Sequence, residues 1–454
     1  MLADDLDILR EALTRLDLGF EALPAFDTTD ANRADVREVL LEVADRLQNN
    51  YPYFHPLYAG QMLKPPHPVA RLAYALAMWI NPNNHALDGS RASSPMEKEA
   101  VAEIARMFGW ETHLGHLCGG GTMANLEALW IAGELHPGKT VLASDQAHYT
   151  HRRVCDVLKI PFDAVPTDRN ARMDTNALEQ RLQKGGVGAV VATIGTTAVG
   201  SVDPLKDILE LQREYGYHIH ADAAYGGYFG LIETLTSVTR QSYDLLGQVD
   251  SIAIDPHKHG LQPYGCGCIL FRDPSMGRYY LHNSPYTYFT SGDLHMGEIS
   301  LECSRAGAAA VALWATQRLL PLVRGGEFAK MLEAGREAAL DLYGRLKADE
   351  RFITALPPEL DIVVWAVRAE SISEASKQAS QVFDEAAKRG LHLALAELPL
   401  KLFALLNGMV RDRETITCLR SVLMKPEHKE WVGRIWDIMD QATNECGVWL
   451  QHDN

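Results

Sequence analysis

GVGAVVATIGTTAVGSVDPLKDILELQREYGYHIHADAAY, residues 186–225, decides the fold. Its two ends, GVGAVVATIGTT (186–197) and YHIHADAAY (217–225), are β-branched and small apolar runs, too short to be helices. Between them DPLKDILELQREYG (203–216) is amphipathic and of helix length. Run, amphipathic segment and run again is the pattern of neighbouring parallel strands joined by a crossover helix. The rhythm extends outward to TVLASD (140–145), VDSIAIDPHK (249–258) and CGCILFRD (266–273). Runs this apolar belong to strands covered on both faces, so an α/β domain with a mostly parallel sheet is predicted.

On the N-terminal side, residues 1–50 carry helical periodicity, and YPYFHPLYAGQMLKPPHP (51–68) is too rich in proline and aromatics to continue a helix. It reads as an ordered arm. MEKEAVAEIARMF (96–108) predicts a helix, with Ser93 and Ser94 supplying a cap and Pro95 a first-turn proline. After Ser304 the pattern is helical to about residue 350; FITALPPELDIVVWAVRAE (352–370) and LHLALAELPLKLFALLNGMV (391–410) then read as strands flanking a helix at 371–389. The predicted organisation is a helical N-terminal segment and arm over 1–70, a large domain over 71–320 and a small C-terminal α+β domain over 321–454.

The 454 residues are 47% hydrophobic and 22% charged, ordinary for a globular protein, and no apolar run approaches a membrane span. A formal charge of −16 argues against a nucleic-acid or anionic-membrane surface, either of which needs an excess of Lys and Arg on one face. Seven cysteines in no framework spacing read as reduced thiols. Cys266 and Cys268 fall on one face of a predicted strand and read as small buried side chains rather than a zinc or redox pair. MLADDLDILREALTRL is acidic and helix-patterned, unlike a signal or transit peptide, so a cytoplasmic protein is expected.

Three features carry chemistry. CGGGTMANLEALWIAG (118–133) is a glycine cluster running into a helix, where unpaired N–H groups and the Thr122 hydroxyl suit a phosphate. It matches neither the nucleotide-binding G-x-x-x-x-G-K-[ST] pattern nor a clean G-x-G-x-x-G after a strand. HADAAYGGYFG (220–230) puts Asp222 at the C-terminal end of a strand, the end where ligands sit in open α/β sheets, followed by residues small enough to admit a flat ligand. Lys258 ends the next run and should open onto the same edge; a lysine there can form a Schiff base with a carbonyl, and His257 beside it can donate to a phosphate. A phosphate cradle, an acid for a ring nitrogen and a Schiff-base lysine together describe a pyridoxal 5′-phosphate site.

DPHK (255–258), HADAAYGG (220–227), GGGTMANL (119–126), SDQAHYTHRRV (144–154) and ATIGTTAVGSVDP (192–204) resemble, in order and spacing, the group II pyridoxal-dependent decarboxylases, which include glutamate, aromatic amino acid and archaeal tyrosine decarboxylases. The resemblance spans roughly residues 50–320. It implies a fold-type I homodimer with active sites at the subunit interface, acting on a small-molecule substrate, an amino acid. By position it implies Lys258 as the cofactor-binding lysine, Asp222 as partner of the pyridinium nitrogen, Ala224 packed on the ring and His148 stacked on its opposite face. Gly120, Gly121, Thr122 and His257 match the phosphate region, and Thr196 a threonine near the cofactor. SPYTYFTSGDLHMGEISLECSR (284–305) matches the family's mobile loop, whose tyrosine protonates the product; Tyr288 fits best, with Tyr286 in reserve.

The match departs from the family in places. SPMEKEA (94–100) follows the family's S-P-A-x-x-E-x-E segment only loosely, and the loop reads Y-F-T-S-G-D in place of Y-D-T-G-D. The expected reaction is decarboxylation of an aromatic amino acid such as tyrosine, ahead of an acidic one, to an amine and CO2. The unusual loop keeps open decarboxylative oxidative deamination to an aldehyde, or a carbon-carbon lyase; a cofactor-binding protein without turnover is the rival from outside enzymology. The aromatic arm (Tyr53, Phe54, His55, Tyr58, Gln61) and NPNNH (81–85) are candidates for the substrate pocket. Arg305 is expected in a buried ion pair rather than on a substrate carboxylate. His151, His259 and His295 are further imidazoles near the motifs, with no role assigned.

Overall fold

The structure is a computed structural model describing residues 5–26, 32–281, 295–403, 406 and 408–448. The amphipathic N-terminal periodicity gives α1 (Leu6–Leu18) and α2 (Arg33–Leu47), neither of which buries a side chain within the chain. After the arm, α3 (Pro68–Met78) opens on a first-turn proline, with His67 Nδ1 accepting from the Val69 N–H.

The next helix, α4 (Ser93–Met107), begins earlier than the predicted 96–108 and is not capped by its serines. The Ser93 hydroxyl donates to Asn84 at 2.5 Å, and Ser94 pairs with Ser90 at 2.7 Å. Both serines lie inside the first turn and are spent on bonds to the loop that precedes the helix.

Strands and helices then alternate as the apolar rhythm predicts: β1 (Leu114–Cys118), α5 (Gly121–Leu135), β2 (Thr140–Ser144), α6 (Thr150–Leu158), β3 (Phe162–Val165), α7 (Thr175–Leu182), β4 (Val187–Thr193), α8 (Leu205–Tyr215), β5 (His218–Asp222), α9 (Ser237–Asp244), β6 (Ser251–Ile254) and β7 (Gly267–Phe271). The strands form one seven-stranded sheet in the order β1-β7-β6-β5-β4-β2-β3. It is mostly parallel, with β7 running antiparallel to both β6 and β1. β4 and β5 are buried at every position, as strands covered on both faces must be.

The helices α10 (Gly307–Leu319) and α11 (Glu327–Ala348) lead into a second, antiparallel sheet. It is built from β8 (Phe352–Thr354), β9 (Ile362–Val367), α12 (Ile372–Lys388), β10 (Ala394–Pro399), β11 (Thr415–Val422) and α13 (His428–Glu445), with strand order β10-β11-β9-β8. The predicted 391–410 strand shrinks to β10. The arm joins this sheet: the Ala59 N–H donates to His392 O at 2.9 Å, and the Val422 N–H to Ala59 O at 2.7 Å. Cys118, Cys155, Cys266, Cys268 and Cys418 are buried free thiols. Among the described residues no helix is long and apolar enough to cross a membrane, and no cluster of side chains suits a metal ion.

Candidate active site

β5 and β6 are parallel neighbours with Asp222 opposite Ala253, so Asp222 and the Asp255–Lys258 turn leave the sheet at the same C-terminal edge. There they open on a cavity of about 510 Å³ lined by Gly120, Gly121, Thr122, His148, Asp222, Ala224, His257 and Lys258. Four separate motifs thus meet at one place.

The lysine turn is held by its own residues. The Lys258 N–H donates to Asp255 O at 2.9 Å, and its Nζ lies 2.9 Å from Asp255 Oδ2, on a carboxylate that is almost wholly buried. His257 Nδ1 is fixed 2.9 Å from Cys266 O and its ring packs against Tyr264, which leaves Nε2 for the cavity, 3.6 Å from Asp255 Oδ2. Burial lowers the His257 pKa against the opposing charge of Asp255.

The glycine cluster packs directly against that turn. At the start of α5 the N–H groups of Met123 and Ala124 return to Gly120 O, while those of Gly121 and Thr122, on the cavity, have no acceptor within the helix. Gly120 adopts φ +144°, a conformation open to glycine, and a Cβ there would meet the His257 ring at 3.2 Å. A Cβ on Gly121 would sit 2.8 Å from Asp255 Oδ2, and one on Gly267 would strike the Gly120 backbone at 2.5 Å. Three glycines thus let the loop, the lysine turn and β7 approach this closely, and the N-terminal end of a fifteen-residue helix lies on the cavity.

Asp222 is the most tightly held group. Its Oδ1 accepts from the Ala224 N–H at 3.1 Å; its Oδ2 lies 2.8 Å from His151 Nε2 and 3.5 Å from Asn125 Nδ2. Burial alone would raise its pKa, but the hydrogen bond from His151 and the charge of Lys258 hold it well below the usual carboxylate range. The acid is therefore ionised. His148 lies across the cavity, with Nδ1 accepting the Thr150 N–H at 3.3 Å and standing 2.6 Å from its hydroxyl; burial keeps the ring toward its neutral form.

Thr196 is placed differently. It is fully buried, its hydroxyl accepts from the Ser201 N–H at 3.0 Å, and it is Thr193, Gly195 and Thr197 that line the cavity. Tyr286 and Tyr288 lie outside the described residues. Arg305 forms the expected buried pair, 2.6 Å from Glu97, and also donates to Leu117 O and Asn84 O. Asn84 itself donates to Glu97 at 2.5 Å, which makes NPNNH a brace for α4. The aromatic arm borders a neighbouring cavity lined by Tyr53, Phe54, Lys64 and Tyr264, and Tyr264 also lines the first. His259 lies between the Tyr225 and Phe229 rings, 3.3 Å from Asp361, and His295 Nδ1 accepts the Leu87 N–H.

His151, Asn125 and Asp255 were given no chemical role by their motifs, yet they hold the two central groups. One signal was available for His151: it follows His148 by three residues at a helix start, which places both on one side.

These residues fit pyridoxal phosphate. An ionised acid suits a protonated ring nitrogen, two free N–H groups and a clear cradle suit a phosphate, and a lysine on the same cavity suits an aldehyde.

The family model for the pyridoxal-dependent decarboxylase conserved domain matches residues 33–368. An L-tyrosine decarboxylase of Enterococcus faecium is 29% identical over 411 residues, covering 68% of this chain and 67% of that protein. An aspartate 1-decarboxylase of Aliivibrio fischeri is 31% identical over 288 residues, covering 53% and 51%. The chain spans about two thirds of the length of the bacterial tyrosine decarboxylases it matches. Among solved structures, mouse CSAD superposes with a TM-score of 0.79 at 20% identity, covering 96% of this chain and 91% of that one. Oryza sativa TDC with PLP and tryptamine gives 0.77 at 19%, covering 98% and 97%; at such identities both are likenesses of fold.

Proposed function

The chain belongs to the pyridoxal-dependent decarboxylase family, and from that premise we propose that it removes the α-carboxylate of an aromatic L-amino acid, tyrosine foremost, releasing CO2 and the amine. Its cofactor is pyridoxal 5′-phosphate. The observation that carries the reading is the meeting of Lys258, Asp222, His148 and the Gly120–Thr122 cradle on one cavity. Tyrosine is favoured by the sequence relatives at 27–29% identity that are tyrosine decarboxylases, while the aspartate relative matches over a shorter stretch.

When bound, the cofactor supplies an electron-withdrawing ring that accepts the electron pair left as the Cα–carboxylate bond breaks. The chain's residues do the rest. Gly121, Thr122 and His257 hold the phosphate by N–H donors and an imidazole. Asp222 holds a proton on the ring nitrogen, which keeps the ring electron-poor. Ala224 and His148 bracket the ring. Lys258 would hold the cofactor's aldehyde, and Asp255, 2.9 Å from Nζ, would pair with the lysine whenever it is a free ammonium. Tyr288, with Tyr286 in reserve, returns the proton to Cα.

The active unit is a homodimer in the cytoplasm. Leu18, Leu23, Phe26, Leu40 and Leu47, on and around α1 and α2, are exposed in the single chain, an apolar surface of the kind a second subunit covers. Sedimentation as a dimer is expected; a monomer would remove the interface from the reading.

The test is a panel of the twenty amino acids, dihydroxyphenylalanine and cysteine sulfinate on cofactor-loaded protein, with CO2, amine and oxygen followed together. Equimolar CO2 and tyramine without oxygen uptake is expected. Aspartate turnover would move the substrate class, aldehyde with oxygen consumption would replace simple decarboxylation, and spectral binding of amino acids without CO2 would remove the activity.

A further inference from the structure

We propose that His151 is a positioning residue for Asp222, a neutral donor that locks the carboxylate against the cofactor's ring nitrogen without drawing off its charge. The inference deepens the proposed function and rests on it.

His151 is fully buried with Nε2 2.8 Å from Asp222 Oδ2. Its Nδ1 is also buried and has no hydrogen-bonding partner among the described residues. A charged imidazolium would strand an N–H there, the more expensive arrangement, so the ring is neutral and Nε2–H donates.

The other side of Asp222 is organised to match. Asn125 Nδ2 points at Asp222, so its Oδ1 accepts from His220 Nε2–H at 2.7 Å. His220 Nδ1 then accepts from the Ser251 hydroxyl at 2.9 Å, and Ser251 accepts from His218 Nε2–H at 3.0 Å. The row runs in one direction, every member neutral, and burial pushes His220 down to about 3 and His218 down to about 4, consistent with that.

A carboxylate offers about four lone-pair directions. Ala224, His151 and Asn125 occupy three, and Asp222 lines the cavity, so one direction is left for the ring nitrogen. Donors bonded to the ionised form stabilise it; a neutral donor does so without placing a second cation beside the pyridinium. The remaining titratable groups nearby are His148, His220 and Lys258.

The experiment records the 15N shift of pyridoxal phosphate labelled at its ring nitrogen, bound to full-length wild type, His151→Gln and His151→Leu. Glutamine can return an N–H near the Nε2 position, whereas leucine fills the space without a donor. Wild type and H151Q are expected to hold the ring nitrogen protonated. H151L is expected to move it toward the unprotonated shift, with kcat reduced about 10- to 100-fold, as for other supporting partners, and KM changed less than about twofold. An H151L protein with unaltered ring shift and kcat would overturn the proposal. Should H151L not fold, the histidine 15N spectrum of wild type, assigned by its difference from H151Q, decides: an Nε2–H neutral His151 supports the proposal, and an imidazolium or Nδ1–H form overturns it. Wild type that takes up no labelled cofactor would overturn the decarboxylase reading itself; normal uptake and turnover with an indifferent H151L strikes His151 alone.

Discussion

Lys258 Nζ stands 2.9 Å from Asp255 Oδ2, three residues back in the same turn. The amine that is to hold an aldehyde therefore has a carboxylate waiting for it whenever it is released as an ammonium. Lys258→Ala is expected to leave no cofactor on the protein after borohydride reduction and mass spectrometry, and to lower kcat by at least about 10³-fold, the scale of losing a nucleophile that also carries protons. Asp255→Asn is expected to keep the reducible attachment and slow turnover about 10- to 100-fold, as loss of a supporting partner does. Equal behaviour of the two variants would mean that the carboxylate serves the fold rather than the lysine.

Gly267→Ala would place a methyl 2.5 Å from the Gly120 backbone at the mouth of the cradle. Overpacking of this kind costs about 1–3 kcal/mol. It should appear as weaker pyridoxal phosphate binding in a fluorescence titration, with little change in KM for the amino acid once the cofactor saturates.

Glu97 and Arg305 form a pair with almost no exposure, and Glu97 also accepts the Leu117 N–H and an Asn84 N–H. Arg305→Ala would leave a buried carboxylate uncompensated, at a cost of about 3–5 kcal/mol. Urea unfolding of the loaded protein should show that loss in its midpoint. A variant with full stability and a raised KM would return Arg305 to the substrate.

His218, His220 and His428 are buried, and burial pushes them down to about 4, about 3 and about 3. Each stays neutral in the fold and takes up a proton near pH 6.5 once unfolded. Stability is thus complete above about pH 6.5 and falls as the pH drops toward 4, by about 1.4 kcal/mol per pH unit for each histidine. Chemical denaturation at pH 7, 6 and 5 should show the decline, and His218→Gln should make it shallower.

The parts of the fold legible in the sequence were those buried without interruption. β4 announces itself because every position is apolar or small enough for a two-sided cover; β5, equally buried, carries His218, His220 and Asp222 and was legible from the alternating run and crossover helix before it. β1 was not marked out, since LGHLC places a histidine at its centre; His116 is tolerated there because its Nε2 lies 2.9 Å from Glu127, a carboxylate that also accepts from Tyr280. β11 hides behind Arg420, whose guanidinium is buried against Thr197 O and Ala198 O. Both are cases of a polar group made acceptable by partners on another element, eleven residues on for His116 and more than two hundred back for Arg420. The same limit applies at the site. Lys258 and Asp222 could be placed together from strand order alone, because adjacent parallel strands deliver their ends to one edge. The contact of His151 with Asp222 spans 71 residues and depends on how α6 packs, and Thr196 turns away from the cavity because the chain folds back on Ser201.

The reversed strand β7 lies between β1 and β6, with Gly267 paired to Cys118 and Cys268 to Ile254. The loop that receives a phosphate and the turn that carries the lysine are consequently laced to the same two residues. Pyridoxal phosphate is a rigid object with its phosphate and aldehyde at a set separation. β7 acts as the gauge for that separation: sliding it by one residue would reset both ends together, so the spacing between anchor and reacting amine is a property of strand register and is insulated from movement in the loops around it.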